Sequence, residues 1–120
     1  MTEIKKSLIE DYIRNFDALQ NESEAHYVHN VAGKMLKEDL EELKYVCSDL
    51  EDGTIDKQAI FVFNEQYRLY QELFQSIKNK EAEILNALHV EDNDLNQKLY
   101  LLRDILTMLP KARKTLNTLL

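Results

Sequence analysis

The chain has 120 residues, with 22 acids against 15 lysines and arginines, a net charge of −7, and only two glycines, one proline and one cysteine. That length gives one domain with room for a core that needs no metal or disulfide staple, and so few glycines and prolines leave little to punctuate a β-rich fold. The acidic balance excludes a nucleic-acid binder that works by neutralising phosphates and is too mild for a DNA mimic. No apolar run approaches the roughly 18 residues of a membrane span, and Cys47 has no second cysteine to pair with, so a reducing cytoplasm is the expected setting.

Apolar spacing predicts an all-α fold of four helical segments. In the first, Thr2 is the N-cap, and Ile4, Leu8, Tyr12, Phe16 and Leu19 share one face. It ends near Gln20. Asn21 or Ser23 then caps a second helix carrying Val28, Ala32, Met35, Leu36, Leu40, Leu43, Val46, Cys47 and Leu50, which stops at Asp52-Gly53-Thr54 with Gly53 left-handed. Thr54 or Asp56 opens a third helix whose stripe is Ile60, Phe63, Tyr67, Tyr70, Phe74, Ile77, Ile84 and Leu88. Asp92 or Asn93 caps the fourth. There are no internal repeats and no linker that divides domains. Helices two to four would each run roughly 40–50 Å at about 1.5 Å per residue. Short connections then imply an up-and-down bundle of three long helices and a shorter N-terminal one.

The fourth segment carries the sharpest pattern. Leu95, Leu99, Leu102, Leu106, Leu109, Leu116 and Leu120 form a ladder of alternating four- and three-residue steps, with Arg113 on the one rung leucine does not occupy. Pro110 lacks an N–H and crowds the preceding turn, so the helix is expected to kink or restart there. Leu95 to Leu109 would then lock into the core while residues 111–120 form a basic arm carrying Lys111, Arg113 and Lys114. Charge is polarised to match. Nine acids lie between Glu22 and Asp52 against Lys34, Lys37 and Lys44, and no acid follows Asp104.

Three features interrupt the apolar pattern. His26 and His29 lie one turn apart, but no glutamate stands three before any histidine, as four-helix carboxylate metal sites require, so no metal or cofactor is expected. The stretch Ala25-His26-Tyr27-Val28-His29-Asn30-Val31-Ala32 resembles the motif of histidine phosphotransfer domains at Ala25, His26, Val28 and Ala32. It departs from it at His29 and Asn30, where that family has lysine and glycine. The resemblance implies a phosphoacceptor at His26 or His29. Asp39 falls in the middle of the second helix's apolar arc and needs a partner, which Arg68, Arg103, Arg113 or a tyrosine hydroxyl could supply. Phe61 points nearly opposite the main stripe of its helix, with Val62 at the edge, and Leu101, Ile105 and Leu119 widen the fourth helix's apolar face. Apolar groups off the core face mark a contact surface.

No phosphate-binding glycine loop, Cys-x-x-Cys, Gly-x-Ser-x-Gly or His-Glu-x-x-His is present. The reading that remains is a non-enzymatic protein that binds a protein partner by a helix face, as an adaptor, inhibitor, antitoxin or immunity protein. Small bacterial immunity proteins are similar in size and helical class. Phe61, Leu101, Ile105 and Leu119 would be apolar anchors, Lys111, Arg113 and Lys114 basic contacts, and the acidic second helix would steer a basic partner. The alternatives are phosphotransfer and a self-assembling homodimer.

Overall fold

The computed structural model describes residues 4–19 and 25–120, and every regular element among them is helical. They are α1 (Lys6–Asp17), α2 (Ala25–Lys34), α3 (Lys37–Asp52), α4 (Lys57–Val62), α5 (Asn64–Asn79), α6 (Glu81–Asn86) and α7 (Asn93–Leu119). The all-α class is as the periodicity demands, but the segmentation is finer than four helices. The expected second helix divides at Met35–Leu36, and the expected third divides at Phe63 and again at Lys80.

Each break has a packing reason. Met35 N donates to the Ala32 carbonyl and closes α2, and Leu36 turns to an extended conformation (φ −83°, ψ 136°) before α3 begins. The turn buries Met35 and swings Asp39 onto Tyr12. Lys80 is buried, and its ammonium donates to the Leu19 carbonyl just beyond the C-terminus of α1, where the helix dipole favours a cation. Two stripe residues at these breaks consequently leave the core: Leu36 and Phe63 are exposed rather than buried.

The expected caps of the later helices are present, but α1 begins at Lys6 with Lys5, not Thr2, in the extended N-cap position and no side chain capping it. Asp56 accepts from Gln58 N at 2.9 Å and Asp92 from Leu95 N at 3.0 Å. Gly53 ends α3 at φ 71°, the left-handed geometry glycine adopts without penalty. Thr2, Gln20, Asn21 and Ser23 lie outside the described residues.

Hydrogen bonds between helices fix the topology. Lys6 donates to Glu65 at 2.7 Å, Ser76 to Asp17 at 2.8 Å and Lys80 to the Leu19 carbonyl, so α1 and α5 ascend together. Lys37 pairs with Gln97 and Lys44 with Asp104, so α3 and α7 also run parallel. Gln71 meets Asn117 and Gln75 meets Arg113, which makes α5 and α7 antiparallel. Direction thus alternates among α1, α3, α5 and α7 as expected, but like-directed helices are neighbours, and α3 against α7 is the most extensive contact. The bundle is built from two parallel pairs, α1 with α5 and α3 with α7, joined where α5 packs on α7. Buried positions reflect this: Leu40, Leu43, Val46, Cys47 and Leu50 recur at Leu99, Leu102, Ile105, Leu106 and Leu109, each 59 residues later. Spacing repeats where the wider sequence does not.

α7 continues through Pro110 as one 27-residue helix instead of restarting, about 40 Å at the helical rise and nearly the 42 Å length of the molecule. Ala112 and Leu116 are both fully buried, and Arg113 and Asn117 are tied to α5. Residues 111–119 are therefore part of the bundle, not a separate arm.

Candidate interaction surface

The short helix α4 carries the largest exposed apolar group. Phe61 is 83 % exposed, Val62 62 % and Phe63 47 %. The cause is local: α4 is six residues long, and of these only Ile60 turns into the core. Asp56 caps it and Phe63 ends it at φ −108°, ψ 32°, so the chain re-enters a helix at once with its face rotated. Beside this patch is a groove of about 370 Å³ between α4, the start of α5 and the end of α7, lined by Lys57, Ile60, Phe61, Asn64, Arg68, Leu119 and Leu120. Phe61 and Leu119, singled out 58 residues apart in the sequence, meet there.

The remaining anchors part company. Leu101 lies in a different groove of about 320 Å³ between α3 and α7, with Tyr45, Met108, Glu41, Lys44 and Ser48. Ile105 is fully buried and cannot be a surface anchor. It sits three residues after Leu102 and four before Leu109, inside the arc that α7 must bury because it packs on α3 and α5 together. Lys111 and Lys114 are exposed but line neither groove, and Arg113 is half-buried, donating to Gln75. Sequence reasoning missed Lys57 and Arg68 as rim cations. It also missed Tyr45, 56 % exposed on the acidic face of α3, although a tyrosine at the centre of a polar arc was a visible signal.

The α3–α7 groove has a polar edge. Asp104 accepts from Lys44 at 3.2 Å and from Arg103 at 3.0 Å. Burial alone would raise its carboxyl, but these two cations outweigh it and hold it below the usual carboxylate range. The Arg103 guanidinium lies 4.6 Å from the centre of the Tyr100 ring, and the Tyr100 hydroxyl is 2.9 Å from His89 Nδ1. His89 adopts φ 70°, unusual for a residue with a side chain, and the Asn96 side-chain amide oxygen, Oδ1, secures the strained turn by accepting from His89 N and Val90 N.

Comparisons with protein-family models, with curated proteins and with solved structures return no match. Chemistry must therefore be argued from the side chains alone. His29 Nε2 is 2.8 Å from the Ala87 carbonyl, which can only accept, so that nitrogen carries a proton and is closed to phosphorylation. His26 projects from α2 with its ring 4.0 Å from that of Tyr27. Asp39 is buried and accepts from the Tyr12 hydroxyl at 2.6 Å. A tyrosine, and not Arg68, Arg103 or Arg113, satisfies it. Burial, and then the Asp39 carboxylate, push the Tyr12 phenol well above its ordinary value. Cys47 is buried among the core leucines, and that burial, with the nearby Glu51 charge, pushes its thiol up to about 12, the signature of an inert thiol. Among the described residues no three metal-ligating side chains gather into a group that could hold an ion, and no helix is long and apolar enough to cross a membrane.

Proposed function

We propose that this protein is a non-enzymatic protein-binding module of the adaptor, inhibitor, antitoxin or immunity type, acting in a reducing cytoplasm, whose recognition surface is the Phe61 groove between α4 and the end of α7. The observation that supports this reading is Phe61, 83 % exposed at the edge of a groove that Ile60, Leu119 and Leu120 also line, with Val62 and Phe63 exposed beside it in the chain. Scattered exposed hydrophobics are ordinary, but a large exposed aromatic at the rim of an apolar concave surface marks a contact site. Covering one such side chain is worth about 1.5–3 kcal/mol, and exposed aromatics beside a pocket supply the anchors on which most binding energy concentrates. Leu101 belongs to the second groove and Ile105 to the core, so this surface keeps Phe61 and Leu119 of the anchors the sequence suggested.

A photo-crosslinking amino acid placed at position 61 in the native host tests the reading. A discrete adduct is expected at position 61, competed by excess unlabelled protein and absent when the same group is placed at the exposed Lys34. Identical backgrounds at the two positions would refute it.

A further inference from the structure

We propose that the Phe61 groove takes an acidic amphipathic helix, with apolar side chains seated between Phe61 and Leu119 and carboxylates on Lys57 and Arg68. This rests on the reading of that groove as a binding surface and commits it to one kind of partner.

Charge around the groove supplies the argument. Both charged side chains that line it are cations, Lys57 and Arg68. Neither forms an ion pair or side-chain hydrogen bond within the described residues, in a chain that carries seven more acids than bases. The acids beside the patch are otherwise engaged: Asp56 caps α4 through Gln58 N, and Glu65 accepts from Lys6 at 2.7 Å. Two cations without an ion-pair partner among the described residues therefore flank an apolar floor. Arginine at a rim is suited to bidentate capture of a carboxylate.

The same charges argue against a second copy. A two-fold interface brings one patch onto itself, so Lys57 and Arg68 would meet a rim of their own sign as water was excluded, and like charges in that setting disfavour the pairing. The acidic outer face of α3 lines none of this groove, so the basic partner that the acidity of the second helix suggests is not the one this surface fits. An apolar stripe with flanking carboxylates complements it in shape and in sign. A helix presents such a stripe at positions i, i+3, i+4 and i+7.

Two labelled 15-residue helical peptides serve as probes, with identical leucine spacing and either glutamate or lysine at the flanking positions. Binding is read by fluorescence anisotropy near 0.15 M salt, where a screening length of about 8 Å leaves local charges to decide over the net charge. The glutamate peptide is expected to bind at least ten-fold more tightly than the lysine peptide. F61S should abolish its binding, and K57E/R68E should invert the preference, with circular dichroism confirming that each variant is folded. Equal or tighter binding of the lysine peptide that is still lost in F61S would overturn the acidic partner and leave the surface standing. Failure of both peptides, or binding indifferent to F61S, would overturn the acidic partner together with the groove as a helix site. An F61S-sensitive dimer in sedimentation, or F61S-sensitive flotation on phosphatidylserine vesicles without peptide binding, would assign the groove to a second copy or to lipid and overturn the proposal.

Discussion

Replacing Tyr12 by phenylalanine deletes one oxygen from the centre of the molecule. That oxygen donates to Asp39 at 2.6 Å and accepts from Leu36 N at 3.5 Å. The first bond is short and goes to a buried carboxylate, a class worth about 1.5–3 kcal/mol when lost. The second is at the edge of useful geometry and adds little. The expected destabilisation of Tyr12→Phe is therefore about 2 kcal/mol, read as the shift in a urea midpoint at constant slope. With an unfolding entropy of about 2.1 cal/mol/K per residue, 120 residues convert this into a melting temperature lower by about 8 °C. Asp39→Asn keeps an acceptor opposite the hydroxyl and should lose less. The pH dependence carries a second signature. The folded state holds the Tyr12 proton more tightly than the unfolded state, whose phenol titrates near 10. The stabilisation is thus complete below about pH 10 and lost as pH rises towards the folded value, so the wild-type and Tyr12→Phe curves should converge on the alkaline side. A variant within about 0.5 kcal/mol of wild type at neutral pH, well below the worth of a charged hydrogen bond, would refute the reasoning if its alkaline curve also runs parallel.

Leu116→Ala should cost about 2–5 kcal/mol by calorimetry or urea titration, as a core leucine does, whereas an outlying arm would tolerate it. Gly53→Ala should destabilise by about 1 kcal/mol because φ is 71° there, while Gly33→Ala should stabilise by up to about 1 kcal/mol, since an added Cβ meets nothing within 4 Å at either site and only Gly53 needs the left-handed region. Chemical denaturation of the two glycine variants separates the cases. Cys47 should resist maleimide at pH 7.5 in the native protein and label promptly in denaturant, because its thiol is both buried and held protonated; native labelling at the rate of a free thiol would contradict its place in the core.

Much of the fold was written in periodicity. The ladder from Leu99 to Leu116 is buried as its spacing requires, and Asp39's central angle foretold a partnered carboxylate. The breaks at Leu36, Phe63 and Lys80 were not legible. Two of the three have no glycine or proline near them, and the break at Lys80 accompanies a bond to Leu19, 61 residues away. Periodicity names a buried face without naming what covers it, which is why the parallel pairing of α3 with α7 could not be read. The same limit misplaced Ile105: a helix packed on two neighbours buries a wider arc than a single ladder. Phe61 was legible because a phenylalanine opposite its helix's own stripe has no core to enter. The cations around it were not, since Lys57 and Arg68 become neighbours of Leu119 only when α4, α5 and α7 converge.

The two parallel helix pairs also set the order in which the chain can acquire structure. The bonds that join α1 to α5 and α3 to α7 connect residues 59–61 positions apart, half the length of the chain. Helical proteins usually fold fast because their contacts are local; here the decisive ones are not. At about 5–20 residues per second of synthesis, the apolar faces of α1 and α3 emerge roughly 3–12 seconds before the helices that cover them. During translation the first half of the chain therefore exposes the leucines of α3 until the second half arrives to cover them.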